Sequence, residues 1–355
     1  MAEFSLERFT ALLVEDNRYV ANIMGALLRD LSVGNVILVR DGVEAIECLK
    51  DSADPNERSI DMIISDMVMS PIDGQILLKW VRQGRESPDR FLPFIMMSGA
   101  ADSENVREAR DQGANEFLAK PFSAESVAQR VLQIINQPRQ FVATRDYFGP
   151  DRHRHSENES ELETERRYAD ESDATIVYSS DKKVRPKDAS EIYLFRLPNR
   201  LRELAGGLGF TESGELPVKF LEEADNLLDR KALDFHDWAL EYLAKMSGLC
   251  TDAKQEGTTE RLSSFKEINL LAHELRGQGG TFGYPLITHT GKSLYHFTSP
   301  PCPVDDDALE IIKAHIDTMR VVFRDKITGD GGDVGRALKT SLDQAIRQQG
   351  KSADQ

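Results

Sequence analysis

Over the first 137 residues, short apolar runs alternate with amphipathic stretches; the pattern then stops, and a helical period of apolar positions takes over from Pro217. The first region predicts five strands, at Thr10 to Val14, Val36 to Val39, Asp61 to Ser65, Phe94 to Met97 and Glu116 to Leu118. Between them, Arg18 to Leu31, Gly42 to Asp51, Gly74 to Gln83 and Ser103 to Gln112 carry apolar residues at helix spacing, and Ser123 to Asn136 closes the set from a serine suited to cap it. Five such units in alternation predict an α/β domain, a parallel sheet doubly wound by helices on both faces. From Pro217 the apolar period predicts helices at Val218 to Asp229, Leu233 to Leu249, Thr259 to Thr281, Leu286 to Thr298 and Asp306 to Lys326, an all-α up-and-down bundle.

Domain limits follow at 1–138 for the α/β domain, 139–200 for a charged and largely flexible linker, 201–328 for the bundle and 329–355 for a flexible tail. Within the linker, ATIVY from Ala174 and IYLFRLP from Ile192 are β-prone. Charge sharpens this division. The chain has 60 acidic against 44 basic side chains, an excess of 16. Asp151 to Asp173 holds nine acids and four bases, so nine minus four puts five of those 16 charges in the linker. A balance this acidic argues against direct nucleic-acid binding. Cys48, Cys250 and Cys302 form no C-x-x-C pair, so neither a disulfide framework nor a structural zinc is expected. No run reaches the roughly 20 apolar residues of a membrane span, and MAEFSLERFT lacks a signal-peptide core. A cytoplasmic protein with no membrane insertion is the expectation.

Candidate chemistry gathers where strands end. Glu15 and Asp16 follow the first strand, Asp66 the third, Ser98 the fourth and Lys120 the fifth. In an open α/β sheet those ends form the ligand crevice. Three carboxylates there repel one another and call for a divalent cation, and an all-oxygen set suits Mg²⁺ or Mn²⁺. Carboxylate, hard metal, hydroxyl and ammonium together describe phosphoryl capture, with Asp66 attacking phosphorus to give an acyl phosphate.

The segments ALLVEDN, DMIISDMVMSPIDG, IMMSGA and EFLAKPF resemble response-regulator receiver domains over residues 9 to about 136. The resemblance implies a flavodoxin-like fold, Glu15 and Asp16 as metal ligands, Asp66 as phosphoacceptor, Ser98 as the phosphate-sensing hydroxyl and Lys120 as the phosphate-binding ammonium. It adds the backbone carbonyl of Val68 as a further metal ligand and Phe117 as the aromatic switch residue. One position departs: the proline usual four residues after the acceptor is Ser70, with Pro71 next, while Gly74 keeps its place.

In the bundle, LLAHELRGQGGTFGYP sets His273 apart from the other six histidines. On a helical wheel Phe265, Ile268, Leu271, Ala272 and Leu275 form a core face, while Lys266, Asn269, His273, Arg276, Gly277 and Gly280 form a solvent stripe. Glycines inside a helix cost roughly 1 kcal/mol each; here Gly277, Gly279 and Gly280 are expected to clear space for a partner protein beside an exposed imidazole. Arg276 is expected to bind the phosphoryl group. Residues 217 to 327 are similar to a histidine phosphotransfer (HPt) domain through His273, Leu275, Arg276, Gly277, Gly280 and Gly283. HELR also opens the phosphoacceptor box of sensor histidine kinases, but Gly277 and Gln278 stand where that box usually continues, and the 82 residues after His273 (355 minus 273) hold no nucleotide-binding motif.

Together these resemblances imply a phosphorelay intermediate of a two-component system rather than a turnover enzyme. Asp66 would be phosphorylated by a histidine kinase or other phosphohistidine donor, and His273 would exchange phosphate with a response-regulator receiver. The alternative from another class is a phosphorylation-switched binding protein, in which the receiver controls access to the helical domain. A kinase fragment is a third and weaker option.

Overall fold

Three central strands are buried at every position on both faces, and they set the architecture. The computed structural model describes residues 2–54, 58–98, 107, 110–120, 122–151, 174–181, 186–188, 191–206, 212–255, 257–280 and 282–350. It divides into two compact units, one of Met1–Ala119 with Ala124–Asp225, the other of Lys120–Ser123 with Asn226–Gln355.

The first unit opens on β1 (Ala2–Glu3) and continues through β2 (Thr10–Val14), α1 (Arg18–Asp30), β3 (Asn35–Val39), α2 (Gly42–Asp51), β4 (Met62–Asp66), α3 (Gly74–Gln83), β5 (Phe94–Ser98), β6 (Glu116–Ala119) and α4 (Ala124–Asn136). The five expected strands form one parallel sheet in the order β3-β2-β4-β5-β6. This is the doubly wound α/β fold, and its strand order reverses between β2 and β4. The helix expected over 103–112 lies largely outside the described residues. Helix starts follow local chemistry: Asn17 caps α1 by accepting from Tyr19 and Val20 N–H, Asp41 caps α2, and Asp73 caps α3. Each such cap is worth about 1 kcal/mol.

Beneath this sheet Arg82 of α3 is completely buried. It donates to the carbonyls of Gly113 at 2.9 Å, Arg90 at 2.9 Å and Leu92 at 2.8 Å, and to Asn115 Oδ1 at 2.8 Å. Burial pulls its pKa down to about 10, so the guanidinium stays charged at neutral pH and ties α3 to the loops entering β5 and β6.

Residues 139–200, expected as a linker, carry a second sheet. The strands β7 (Phe141–Ala143), β8 (Phe148–Pro150), β9 (Thr175–Val177) and β10 (Tyr193–Phe195) pair in the order β8-β7-β10-β9, so both β-prone runs become strands. Phe91, Phe141, Phe148 and Phe195 pack together, with Phe91 centroids 5.1–5.2 Å from the other three rings, and the Arg90 guanidinium lies 4.1 Å from the Phe148 centroid. Edge-to-face packing at these distances fastens this sheet to the segment before β5. The acidic run at 152–173 lies outside the described residues. Next come α5 (Arg200–Gly206) and β11 (Gly214–Glu215), which pairs in parallel with β1. Arg200 reaches Asp61 at 3.2 Å, and Asn136 exchanges hydrogen bonds with Gly214. The first unit runs to Asp225 and so takes in α5 and β11.

The C-terminal region is largely helical: α6 (Val218–Ala253), α7 (Thr258–Gln278), α8 (Pro285–Thr298), α9 (Asp306–Arg324) and α10 (Gly332–Gly350). Two expected helices merge into the 36-residue α6, because Arg230 to Ala232 contains no glycine or proline to break it. The tail expected to be flexible forms α10, which packs on α9 and buries Leu342. Phe235, Phe282 and Phe323 centre this core, the first two stacked at 4.7 Å. Among the described residues no helix is long and apolar enough to cross a membrane.

Candidate functional site

The carboxylates meet at the topological switch point. Glu15 and Asp16 leave the end of β2, and Asp66 is the last residue of the neighbouring β4; one carboxylate oxygen from each lies within 4.8 Å of the others. Glu15 and Asp66 are buried at 2% exposure, and Asp16 is exposed. Three negative charges this close in a partly dry crevice repel one another. The set offers hard oxygens only, and its exposed member leaves room for water, which fits a small divalent cation that keeps part of its hydration.

Backbone geometry holds Asp66 in place. Met67 N–H donates to Asp66 Oδ1 at 2.9 Å, and Gly74 N–H donates to Met67 O at 3.1 Å. Gly74 itself is pressed against the Asp66 carbonyl, where a Cβ would collide. The loop between them contains exposed Val68 and a cis Ser70–Pro71 peptide. Ser98 ends β5, one residue past the Met97 that pairs with Asp66, and is buried. Lys120 follows Ala119, the residue paired with Ser98, and is also buried. Phe117 packs half-buried against the core of the first unit.

His273 lies near the end of α7. The expected core face, Phe265, Ile268, Leu271, Ala272 and Leu275, is buried throughout. The expected solvent stripe is covered in its middle: Lys266 is exposed and Asn269 and Gly280 half-buried, but Gly277 is buried, His273 is 9% exposed and Arg276 2%. Helix α8 leans over this stripe. The Tyr295 ring lies 5.4 Å from the imidazole and 4.5 Å from the Arg276 guanidinium carbon, and Arg276 Nη2 lies 2.9 Å from His273 Nδ1. Gly279 also has a different role from the one expected, since a Cβ there would meet Ile287, Thr288 N and Tyr284 O at 2.8 Å. It allows the turn into α8 to close, rather than clearing room for a partner. Tyr295 gave no signal in the sequence, where it is one aromatic in a helical period.

Residues 11–132 match the family model for the response regulator receiver domain. Chemotaxis protein CheY-3 of Vibrio cholerae serotype O1 is 30% identical over 126 residues, 36% of this chain and 91% of that relative. The chain belongs to the response regulator receiver family. Among solved structures, a putative response regulator from Chloroflexus aurantiacus is 31% identical over 36% of this chain and 96% of its own, with a TM-score of 0.31. The receiver domain of a sensor histidine kinase from Pseudomonas aeruginosa PAO1, solved with a magnesium ion in its active site cleft, is 31% identical over 35% of this chain and 94% of its own, with a TM-score of 0.30. The family match ends at residue 132, before the second sheet and the helical region. Within the receiver, Glu15, Asp16 and Asp66 form the acidic cluster typical of the family's magnesium site.

A separate cavity of about 780 Å³ opens at the other ends of the strands, lined among others by Asp61, Arg90, Glu116, Arg139 and Arg200. Glu116 is buried between Arg130 at 3.2 Å and Arg139 at 3.4 Å. Burial pushes the Asp61 carboxyl above its ordinary value, opposed by the Thr10 N–H and by Arg200. This cavity shares no residue with the carboxylate cluster.

Proposed function

We propose that the chain is a phosphorelay intermediate: Asp66 receives a phosphoryl group from a phosphohistidine donor, and His273 exchanges one with an aspartate receiver. The observation carrying the first half is the meeting of three carboxylate oxygens within 4.8 Å at the switch point of a receiver sheet. Glu15, Asp16, Asp66 and the Val68 carbonyl would hold Mg²⁺ or Mn²⁺, whose charge offsets that of the transferring group. An Asp66 carboxylate oxygen attacks phosphorus as the donor's N–P bond breaks, the electron pair returning to the imidazole. The Ser98 hydroxyl and the Lys120 ammonium bind the phosphoryl oxygens. In the helical region, which we read as HPt-like, His273 is the nucleophile and Arg276 the charge-assisted donor to the incoming group.

A second reading is favoured by the burial of His273. At 9% exposure the imidazole must be uncovered before a partner reaches it, which suits a receiver whose phosphorylation regulates a helical output. Both readings give the chain a histidine kinase as upstream partner and a cytoplasmic setting; only the first needs phosphate on His273.

Incubation of the wild type, Asp66→Ala and His273→Ala with a radiolabelled phosphohistidine donor, with and without EDTA, separates them. The relay predicts label on Asp66 that EDTA suppresses, and label on His273 whenever a phosphorylated receiver is present. His273 that takes no label from any receiver, its own included, contradicts the relay and leaves the switch.

A further inference from the structure

The side chains around His273 determine where its proton sits. Arg276 Nη2 is 2.9 Å from His273 Nδ1. A guanidinium has N–H donors only and stays protonated, so this contact has one polarity: Arg276 donates and Nδ1 accepts through its ring lone pair. A neutral imidazole whose Nδ1 accepts carries its proton on Nε2. The guanidinium is itself held, with its carbon 4.5 Å from the centroid of Tyr295, within the range of a cation–π contact. The backbone at Tyr295 is anchored in turn from α7. Asn269, one turn before His273, donates from Nδ2 to Tyr295 O at 2.7 Å and to Thr298 Oγ1 at 2.8 Å. Thus Asn269, His273 and Arg276, on one stripe of α7, all meet the same segment of α8.

We infer that Arg276, steadied by Tyr295, is a latch that holds His273 as the Nε2–H tautomer and leaves neither ring nitrogen ready to attack until the guanidinium lets go. The reasoning is a count of lone pairs. Attack by Nδ1 on phosphorus needs the lone pair that the Arg276 N–H occupies. Attack by Nε2 needs its proton to leave for solvent and a proton to be taken up at Nδ1, the position Arg276 blocks. By either route Arg276 releases first. The N–P bond then forms as the acyl phosphate P–O bond breaks, its electron pair staying on the carboxylate oxygen and the remaining ring N–H staying in place. Phosphoryl oxygens carry negative charge and are stronger guanidinium partners than a neutral imidazole, so the arriving phosphoryl group itself releases the latch. Tyr295 is a positioning residue, acting on His273 only through Arg276. This deepens the proposed exchange at His273 and depends on it for its functional meaning, but the tautomer is measured without any phosphate.

The test is ¹⁵N NMR of the full chain labelled at histidine, at a pH where imidazole is neutral, with the His273 signals identified by their loss in His273→Gln. The wild type should show a lone-pair-type Nδ1 and a protonated-type Nε2 with widely separated shifts. Arg276→Ala should bring the two shifts toward each other as the tautomers begin to exchange. Tyr295→Leu should move them the same way, Tyr295→Phe should leave them where they are, and Arg276→Ala with Tyr295→Leu should go no further than Arg276→Ala alone. A wild-type His273 protonated at Nδ1 overturns the latch and needs no variant to read. A Tyr295→Leu spectrum identical to wild type removes Tyr295 from it. Failure of the radiolabel series with these shifts intact would reject the exchange reaction and keep the tautomer, so the two failures are distinguishable.

Discussion

Asp66 and His273 are both buried, yet they are held by different means. Asp66 ends a strand whose two neighbours fix it on either side, and the groups that set its carboxylate are backbone: the Met67 N–H and the close approach of Gly74. His273 sits on a helix, and side chains set its imidazole: Arg276 on the same helix and Tyr295 on the next. A site held by backbone tolerates changes of side chain around it and fails when the frame moves. A site held by side chains can be retuned one residue at a time without disturbing the frame.

The sharpest way to break that contrast is to remove the frame. Arg82→Leu leaves three buried carbonyls without their donor, each costing about 1–3 kcal/mol, so chemical denaturation should show the first unit losing at least about 3 kcal/mol. Magnesium affinity at the carboxylate cluster should fall with it, although Arg82 touches none of the three acids. Gly74→Ala acts closer in. Its Cβ would press on the Asp66 carbonyl, and overpacking of this kind costs about 1–3 kcal/mol; thermal unfolding of the metal-free protein reads it directly.

A smaller effect with the opposite sign comes from Asp16→Asn. It removes one of three clustered negative charges, so the metal-free protein should gain on the order of 1 kcal/mol, given that Asp16 is exposed. Magnesium titration of the same variant should show weaker binding. A variant that stays as stable as wild type in EDTA would mean that the carboxylates do not strain the fold.

The smallest effect concerns the helical unit. His315 is fully buried, with Nδ1 2.8 Å from Ile311 O and Nε2 2.9 Å from Ser293 Oγ. Burial depresses its folded pKa below the ordinary value of 6.5. The unfolded chain therefore takes up the proton first. Stability from this group is full above about pH 6.5 and declines as pH falls through the folded value. Denaturation midpoints of the helical unit should drop over that window in wild type and change less in His315→Leu.

How much of this was legible before the structure follows the same contrast. The parallel sheet and its strand-end acids were readable because continuous apolar runs and β–α alternation are local patterns, and Asp66 and Glu15 lie beside them. Of the second sheet only the two β-prone runs are legible, because its strands are three residues long and its core is four isolated phenylalanines brought together from positions 91, 141, 148 and 195. Arg82 carries no sequence signal, because its burial depends on carbonyls 8 to 31 positions away. The core face of α7 is legible in its period, but that period carries no sign that α8 covers the opposite stripe, so it places His273 in solvent and Gly279 beside a partner. Tyr295 acquires its meaning only from the crossing of two helices.

Phosphate on Asp66 and phosphate on His273 would differ chemically, and acid and alkali distinguish them. An acyl phosphate on Asp66 is lost in alkali, whereas a phosphoramidate on His273 survives alkali and is lost in acid. Labelling the full chain from a phosphorylated receiver and donor, then dividing the quench between the two conditions, should leave an alkali-stable, acid-labile fraction that vanishes in His273→Ala and persists in Asp66→Ala. Label that is wholly alkali-labile, and unchanged by His273→Ala, would rule out His273 as a phosphoacceptor.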